Sequence, residues 1–394
     1  LSIAAFDTTF LGMNGGRFAL FLTVILSIWA VIHFYVFARL NSIPWVAAHI
    51  SRRLLIGLAV FLWISYPLAR VVSSRWNGIG TFLEYIAAHW IGFLFLLFAM
   101  FFIVDIVTLG GSLFSKSLPR IRTVAGLTAI LLSIIALIQG HRAPVVTELE
   151  IPLPGLSRER DGLTVAAMSD LHLGRILGRS WLLERVAQVN ALRPDLILIA
   201  GDLVDSDPGP VESLVPELKQ FQARYGTWVV AGNHDFYAGL ERSVAIMDQA
   251  GFHVLRDRSE LVLPGLVLAG VDDLRTARTR DQAVQAVEHA LARRPSGAVI
   301  YLSHTPVQAE QSASLGAGLM LSGHTHNGQI WPFNHLVRLS TPLVGGRYTV
   351  NGMPVLVCRG TGTWGPPMRL WQPGEILHIT LRSPEVSHSI KADH

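Results

Sequence analysis

Leu196-Ile-Leu-Ile-Ala-Gly-Asp-Leu-Val-Asp205 is an unbroken apolar run that stops abruptly at Gly201-Asp202. A strand without alternation is covered on both faces, as in parallel sheets, and ligands of open α/β sheets gather beyond the carboxyl ends of such strands. The run therefore places Asp202 at the edge of a buried sheet. Four other strand-like runs end the same way: Leu163–Met168 before Ser169-Asp170-Leu171-His172, Trp228–Ala231 before Gly232-Asn233-His234-Asp235, Val299–Leu302 before Ser303-His304, and Gly318–Leu321 before Ser322-Gly323-His324-Thr325-His326. One polar cluster made from five strand ends is expected.

Between these runs lie helical patterns at Ser180–Leu192, Val211–Ala223, Glu241–Ala250 and Asp281–Arg293. Strands alternating with helices mark a layered α/β domain. Asn351-Gly352, between β-prone runs, signals a hairpin, Glu375–Leu381 alternates as a last strand, and the Pro-rich stretch His141–Arg160 reads as a connector or an opening edge strand.

The 394 residues are 51% hydrophobic and 15% charged, with mean hydropathy +0.42, too apolar for an ordinary soluble chain. Part of the chain is expected in lipid. Spans are placed near 17–39, 54–72, 90–109 and 123–139, each close to the ~20 apolar residues that cross a hydrocarbon core, with Trp45, Trp76 and Trp90 at interface depth. Pro67 interrupts the second. Asp105 lies in the third, where an ionisable group calls for a partner. The expected division is a transmembrane helical domain at 1–142 and a second domain at 143–394.

Through residue 144 there are ten Lys/Arg and three Asp/Glu, a charge of +7, which leaves −3 for the rest. The basic pI of 9.4 belongs to the helical part, and no polybasic nucleic-acid face is expected beyond it. The single Cys358 excludes an intramolecular disulfide and a cysteine-based zinc site. Orientation follows the more basic loops: Arg39, Arg52, Arg53, Lys116, Arg120 and Arg122 against Arg17, Arg70, Arg75 and Arg142. Six against four leans toward both termini outside the cytoplasm.

Imidazole nitrogen, carboxylate oxygen and amide carbonyl suit first-row divalent cations such as manganese, zinc and iron. The strand ends offer enough for two ions. A pair about 3.5–4 Å apart needs a bridging carboxylate and can clamp both oxygens of a phosphoryl displacement; Asp202, on the central strand, is the natural bridge.

Taken together, Asp170-x-His172, Gly201-Asp202-x-x-Asp205, Gly232-Asn233-His234-Asp235, His304 and Gly323-His324-x-His326 resemble the signature of the calcineurin-like metallophosphoesterases, in a bacterial membrane-attached branch. The likeness runs from about Leu163 to Arg369. It implies a β-sandwich flanked by helices. It implies one metal on Asp170, His172, Asp202 and His326, and another on Asp202, Asn233, His304 and His324. His234 would neutralise developing charge or protonate the leaving oxygen, with Asp235 orienting its ring, and Asp205 would tether a histidine. Where the phosphoprotein phosphatases of this superfamily have Asp-Arg, this chain has Asp205-Ser206; Arg175, Arg359 and Arg369 are the arginines left to meet a substrate phosphate.

The expected activity is hydrolysis of a phosphodiester, pyrophosphate or phosphomonoester of a lipid or lipid-linked substrate, in a bacterial inner membrane with the catalytic domain on the periplasmic side. A sugar-nucleotide lipid pyrophosphatase is the alternative, and would want a cytoplasmic domain. A catalytically silent envelope scaffold is the alternative from another class.

Overall fold

The computed structural model describes residues 15–73 and 77–384, so Arg75 and Trp76 lie outside the described residues. By contacts the chain forms two units, one of 1–141 with Gly365–Trp371, the other of 142–364 with 372–394. The first division matches the drop in hydropathy. The return of seven late residues to the helical unit does not show in composition.

The helical unit holds α1 (Gly15–Asn41), α2 (Pro44–His49), α3 (Arg52–Ser73), α4 (Asn77–Val107) and α5 (Leu118–Gly140). Four of them, all but the short α2, are long and apolar enough to cross a membrane. α3 continues through Pro67. Proline cannot donate to the carbonyl four residues back, which is that of Trp63; Trp29 Nε1 donates to it instead, at 3.2 Å. A neighbouring helix thus satisfies the group that Pro67 frees, as lipid-embedded backbone requires. α4 begins thirteen residues before the expected third span, because Glu84 and His89 break the apolar run without breaking the helix.

Asp105 has the partners its position calls for. Its carboxylate accepts from Tyr35 Oη at 2.6 Å, Arg39 Nε at 2.7 Å and Arg122 Nη2 at 3.2 Å. Within the same unit, the Arg369 amide donates to the Ala136 carbonyl at 2.9 Å, and Gly92 and Gly140 leave the room that Met368 and Pro367 occupy.

The second unit is a two-sheet sandwich. One sheet has the order β1 (Val145–Pro152), β12 (Glu375–Arg382), β2 (Thr164–Met168), β3 (Leu196–Ala200), β4 (Thr227–Val230), β5 (His253–Val254). The other has β10 (Gly346–Val350), β11 (Met353–Val357), β9 (Leu319–Ser322), β8 (Gly297–Leu302), β7 (Gly265–Gly270), β6 (Arg258–Leu263). β3 is buried along its whole length, as its unbroken apolar run requires. Leu198, Val230, Leu268, Ile300 and Leu321 meet between the sheets. The outer faces are covered by helices, Val186, Val189 and Ile246 packing on the first sheet and Val287 and Leu291 on the second.

β2, β3 and β4 run parallel, as do β7, β8 and β9. Their carboxyl ends carry the polar motifs. Of the expected helices, Val211–Ala223 is instead two short turns, Pro208–Glu212 and Val215–Leu218, separated ahead of Pro216. The helix expected from Glu241 follows a kink at Gly239 (φ 104°), and a short helical segment before that kink starts at Asn233, so the Asn-His-Asp motif opens a helical segment rather than filling a loop. Asn351 and Gly352 take φ of 48° and 81°, both in the left-handed region of a two-residue hairpin turn.

Candidate metal centre

Backbone hydrogen bonds beyond the strands set the side chains side by side. The loop after β2 is stitched to the loop after β3 by Asp170 N to Gly201 O at 2.9 Å and His172 N to Asp202 O at 3.0 Å. In the other sheet, Gly323 N donates to His304 O at 2.9 Å. Asp170, His172, Asp202, His324 and His326 all have φ between 46° and 72°. Non-glycine residues pay of order 1–3 kcal/mol each for such conformations, and these cluster where function over-determines the backbone. Gly232 and Gly323 are needed for another reason: a Cβ on either would run into the carboxylate of Asp202 or Asp170 respectively.

Two groups of lone pairs result. In the first, His172 Nε2 and His326 Nε2 lie 3.0 Å apart. Asp170 Oδ1 is 3.3 Å from His326 Nε2 and 3.9 Å from His172 Nε2, and Asp202 Oδ2 is 3.7 Å from His172 Nε2. His172 Nδ1 faces Asp205 Oδ1 at 3.3 Å. In the second, His304 Nδ1 donates to the Ala200 carbonyl at 2.8 Å, so Nε2 carries the lone pair. That nitrogen stands 3.2 Å from Asp202 Oδ2, 3.2 Å from Asn233 Oδ1 and 3.3 Å from His324 Nδ1. His324 Nδ1 is 2.8 Å from Asn233 Oδ1.

Acceptors thus face acceptors in a buried space, and protons alone can reconcile only some of the pairs. A divalent cation in each group reconciles all of them, and the oxygen–nitrogen donor set is one such cations prefer. Asp202 Oδ2 borders both groups, while its Oδ1 accepts from the His234 amide at 2.8 Å.

The electrostatics agree. Burial alone would raise the Asp170 and Asp202 carboxyls, yet the neighbouring His326 and His304 imidazoles respectively outweigh it and hold both below the ordinary range; in return Asp202, against burial, draws the His304 imidazole well above its ordinary value, the pull of a carboxylate on any cation held beside it. Burial pushes the His324 imidazole down to about 3, with the charges of His304 and Arg275 adding to it. A neutral imidazole is the form that ligates a metal.

His234 is held differently from expectation. Its Nδ1 donates to the Asp205 backbone carbonyl at 2.6 Å, which leaves Nε2 as the nitrogen free for proton transfer. Asp235 does not orient the ring. Its buried carboxylate accepts from the amides of Asp202 and Val204 at 2.9 Å and of Gly232 at 2.8 Å, so it ties the end of β3 to the end of β4. Burial and the Asp202 charge push that carboxyl up to about 7, against the amides that hold it down.

Two of the three arginines offered for a substrate phosphate are paired with carboxylates. Arg175 pairs with Asp207 at 3.0 Å and Arg359 with Glu375 at 2.6 Å. Arg369 is buried, 2% exposed, and belongs to the helical unit. Sequence reasoning missed Arg275. It follows β7, a sixth parallel strand whose end, Gly270-Val-Asp-Asp273, repeats the pattern of the other five. Asp273 is bound there by Thr305 Oγ1 at 2.5 Å, one residue beyond His304, and Arg275 Nη2 donates to Thr341 Oγ1 at 2.8 Å. Also missed were two exposed aromatics beside the His234 ring, Tyr237 and Trp364, with centroids at 5.3 and 5.8 Å. Gln329 pins Trp364 through its backbone amide and carbonyl, at 2.9 and 3.0 Å.

A family model described as calcineurin-like phosphoesterase matches residues 163–328. Over 268 residues the chain is 36% identical to a Danio rerio protein named transmembrane protein with metallophosphoesterase domain, covering 65% of this chain and 61% of that one. A metallophosphoesterase of Helicobacter pylori strain J99 is 34% identical, covering 62% and 65%, and one of Aquifex aeolicus is 33% identical, covering 54% and 83%. The chain spans a little under two thirds of the length of the first two relatives.

Proposed function

The chain belongs to the calcineurin-like phosphoesterase family, and from that footing we propose that it is a metal-dependent phosphoesterase acting on a lipid or lipid-linked phosphodiester, pyrophosphate or phosphomonoester. The observation that carries this reading is the carboxylate of Asp202, shared between two groups of converging lone pairs. Asp170, His172, Asp202 and His326 would hold one divalent cation, and Asp202, Asn233, His304 and His324 the other. Bound there, manganese, zinc or iron would supply Lewis acidity to a phosphoryl group and make the attacking water more acidic.

The chain's own residues do the rest. His234, its Nδ1 fixed by the Asp205 carbonyl, offers Nε2 to protonate a leaving oxygen. Asp235 keeps Asp202 and Asn233 in register by binding the amides at both strand ends. Arg275 places a positive charge near the second group for a substrate oxyanion, and Tyr237 and Trp364 form apolar walls beside His234.

A lipid substrate is supported by the four apolar helices, which are more than a tether requires. The more basic first and third loops favour a bacterial cytoplasmic membrane with the catalytic unit outside the cytoplasm, where lipids are the abundant phosphoesters. Purified protein in detergent is to be assayed against phospholipids, lipid pyrophosphates and chromogenic phosphodiesters, with and without chelator. Metal-dependent turnover of a lipid phosphoester is expected; no metal-dependent turnover of any of them would overturn the reading in favour of a silent scaffold. A reporter fused after His394 tests the side. Alkaline phosphatase activity is expected, and green fluorescence without it would favour the sugar-nucleotide lipid alternative.

A further inference from the structure

A groove of about 450 Å³ opens between α1 and α3. On α1 its lining runs Ala30, Phe34, Ala38, Asn41, and on α3 it runs from Arg52 to Trp63, each a stripe of residues three or four apart and so one face of a helix. Ala30 and Ala38 on α1 and Ala59 on α3 are the small side chains of this lining. Each stripe covers eleven steps, about 16 Å at 1.5 Å per residue, roughly half of a hydrocarbon core of about 30 Å. The groove therefore begins at one interface and ends near the midplane.

Its two ends differ in chemistry. The body is apolar, and its one imidazole demands nothing of a ligand: His33 Nδ1 donates to the Trp29 carbonyl at 2.9 Å and Nε2 accepts from Trp90 Nε1 at 2.9 Å. The mouth holds Asn41 and the exposed Arg52, where α1 ends and α3 begins, with Arg53 beside it. No carboxylate lines the groove, and among the described residues none pairs with Arg52 or Arg53. An occupant must put an anion at the interface and a slender apolar chain below it. A second apolar helix packed there would fill the space but leave the Arg52 guanidinium without an anion.

We propose that this groove binds one anionic glycerophospholipid, its phosphate on Arg52 and one acyl chain between α1 and α3. The site rests on the helical unit lying in lipid and not on the catalytic reading. Juxtamembrane arginines attract anionic headgroups, and a preformed channel lowers the ordering cost of the chain.

The test uses full-length protein in detergent and phosphatidylglycerol with a photoreactive group on one acyl chain, the adducts being mapped by peptide mass spectrometry. Adducts are expected within residues 30–63. Phosphatidylglycerol should compete at least ten times better than phosphatidylcholine, and glycerol phosphate, a headgroup without chains, should not compete. Ala59→Phe should abolish the adduct by filling the groove. Arg52→Gln, an exposed change that leaves the fold intact, should erase the preference for phosphatidylglycerol. Adducts spread evenly over the lipid-facing helices, equal competition by both lipids, or a chain-to-chain crosslink through α1 or α3 would each overturn the proposal. Release of the chain from membranes by alkaline carbonate would show instead that the unit is not in lipid, whatever the adducts.

Discussion

Removing the Asp205 side chain should separate the two cation sites. Its Oδ1 stands 3.3 Å from His172 Nδ1, the nitrogen turned away from the metal group, whereas His234 Nδ1 is 3.8 Å from that oxygen and makes its hydrogen bond, at 2.6 Å, to the Asp205 backbone carbonyl. Asp205→Ala therefore deletes the tether of one ligand and leaves the other histidine held. Losing a carboxylate that orients a ligating histidine weakens metal affinity about 10- to 100-fold, or about 1.4–2.7 kcal/mol. The loss should fall on the group of Asp170, His172, Asp202 and His326 alone, since no atom of the His304, His324 and Asn233 group contacts that carboxylate among the described residues. Asp205→Asn, a neutral acceptor of the same shape, should lose less. Stepwise extraction of metal by a chelator of graded strength reads the two sites separately. Unchanged extraction of both ions, or equal weakening of both, would refute the assignment of Asp205 as the support of His172.

Asp202→Ala should release both ions together, because the remaining ligands would leave two cations under-coordinated and mutually repelling; elemental analysis finding two tightly held ions would contradict the bridge. His234→Ala should keep both ions yet turn over at least about 100-fold more slowly, with a smaller loss on nitrophenyl esters, whose leaving group needs no proton; equal losses on good and poor leaving groups would argue for a ground-state binding role. Asp235→Ala strands the buried amides of Asp202, Val204 and Gly232, among others, at about 1–3 kcal/mol each, so denaturant unfolding should show at least about 3 kcal/mol of lost stability, and a change below about 1 kcal/mol would mean water replaces the carboxylate. Gly232→Ala should lower metal occupancy without touching a ligand, since the added methyl group meets the Asp202 carboxylate; full occupancy would show that the strand end can yield.

Strand ends were legible because their signals are local. A strand buried on both faces must be apolar throughout, so Leu196–Ala200 announces itself, and so does the carboxylate that follows it. Asn351-Gly352 is equally local, since a tight hairpin needs two left-handed residues. Local rules also misled. Pro67 reads as a break until Trp29 supplies the missing donor, and Asp235 reads as the partner of its neighbour His234 although its carboxylate serves amides on another strand.

The pairing of ligands belongs to tertiary structure alone. His172 and His326 are 154 residues apart in the chain and 3.0 Å apart at their Nε2 atoms, and only the packing of two sheets, each ending its parallel strands on the same side, brings them together. The left-handed backbone at five proposed ligands has little sequence signature, because Asp and His enter that region more readily than most residues, yet most Asp and His in a chain do not. Such conformations persist where surrounding contacts outweigh their cost, a balance that no stretch of sequence contains. Arg359 shows the same limit: its residue type invites a phosphate, and the Glu375 carboxylate that pairs with it at 2.6 Å is brought alongside only by the fold.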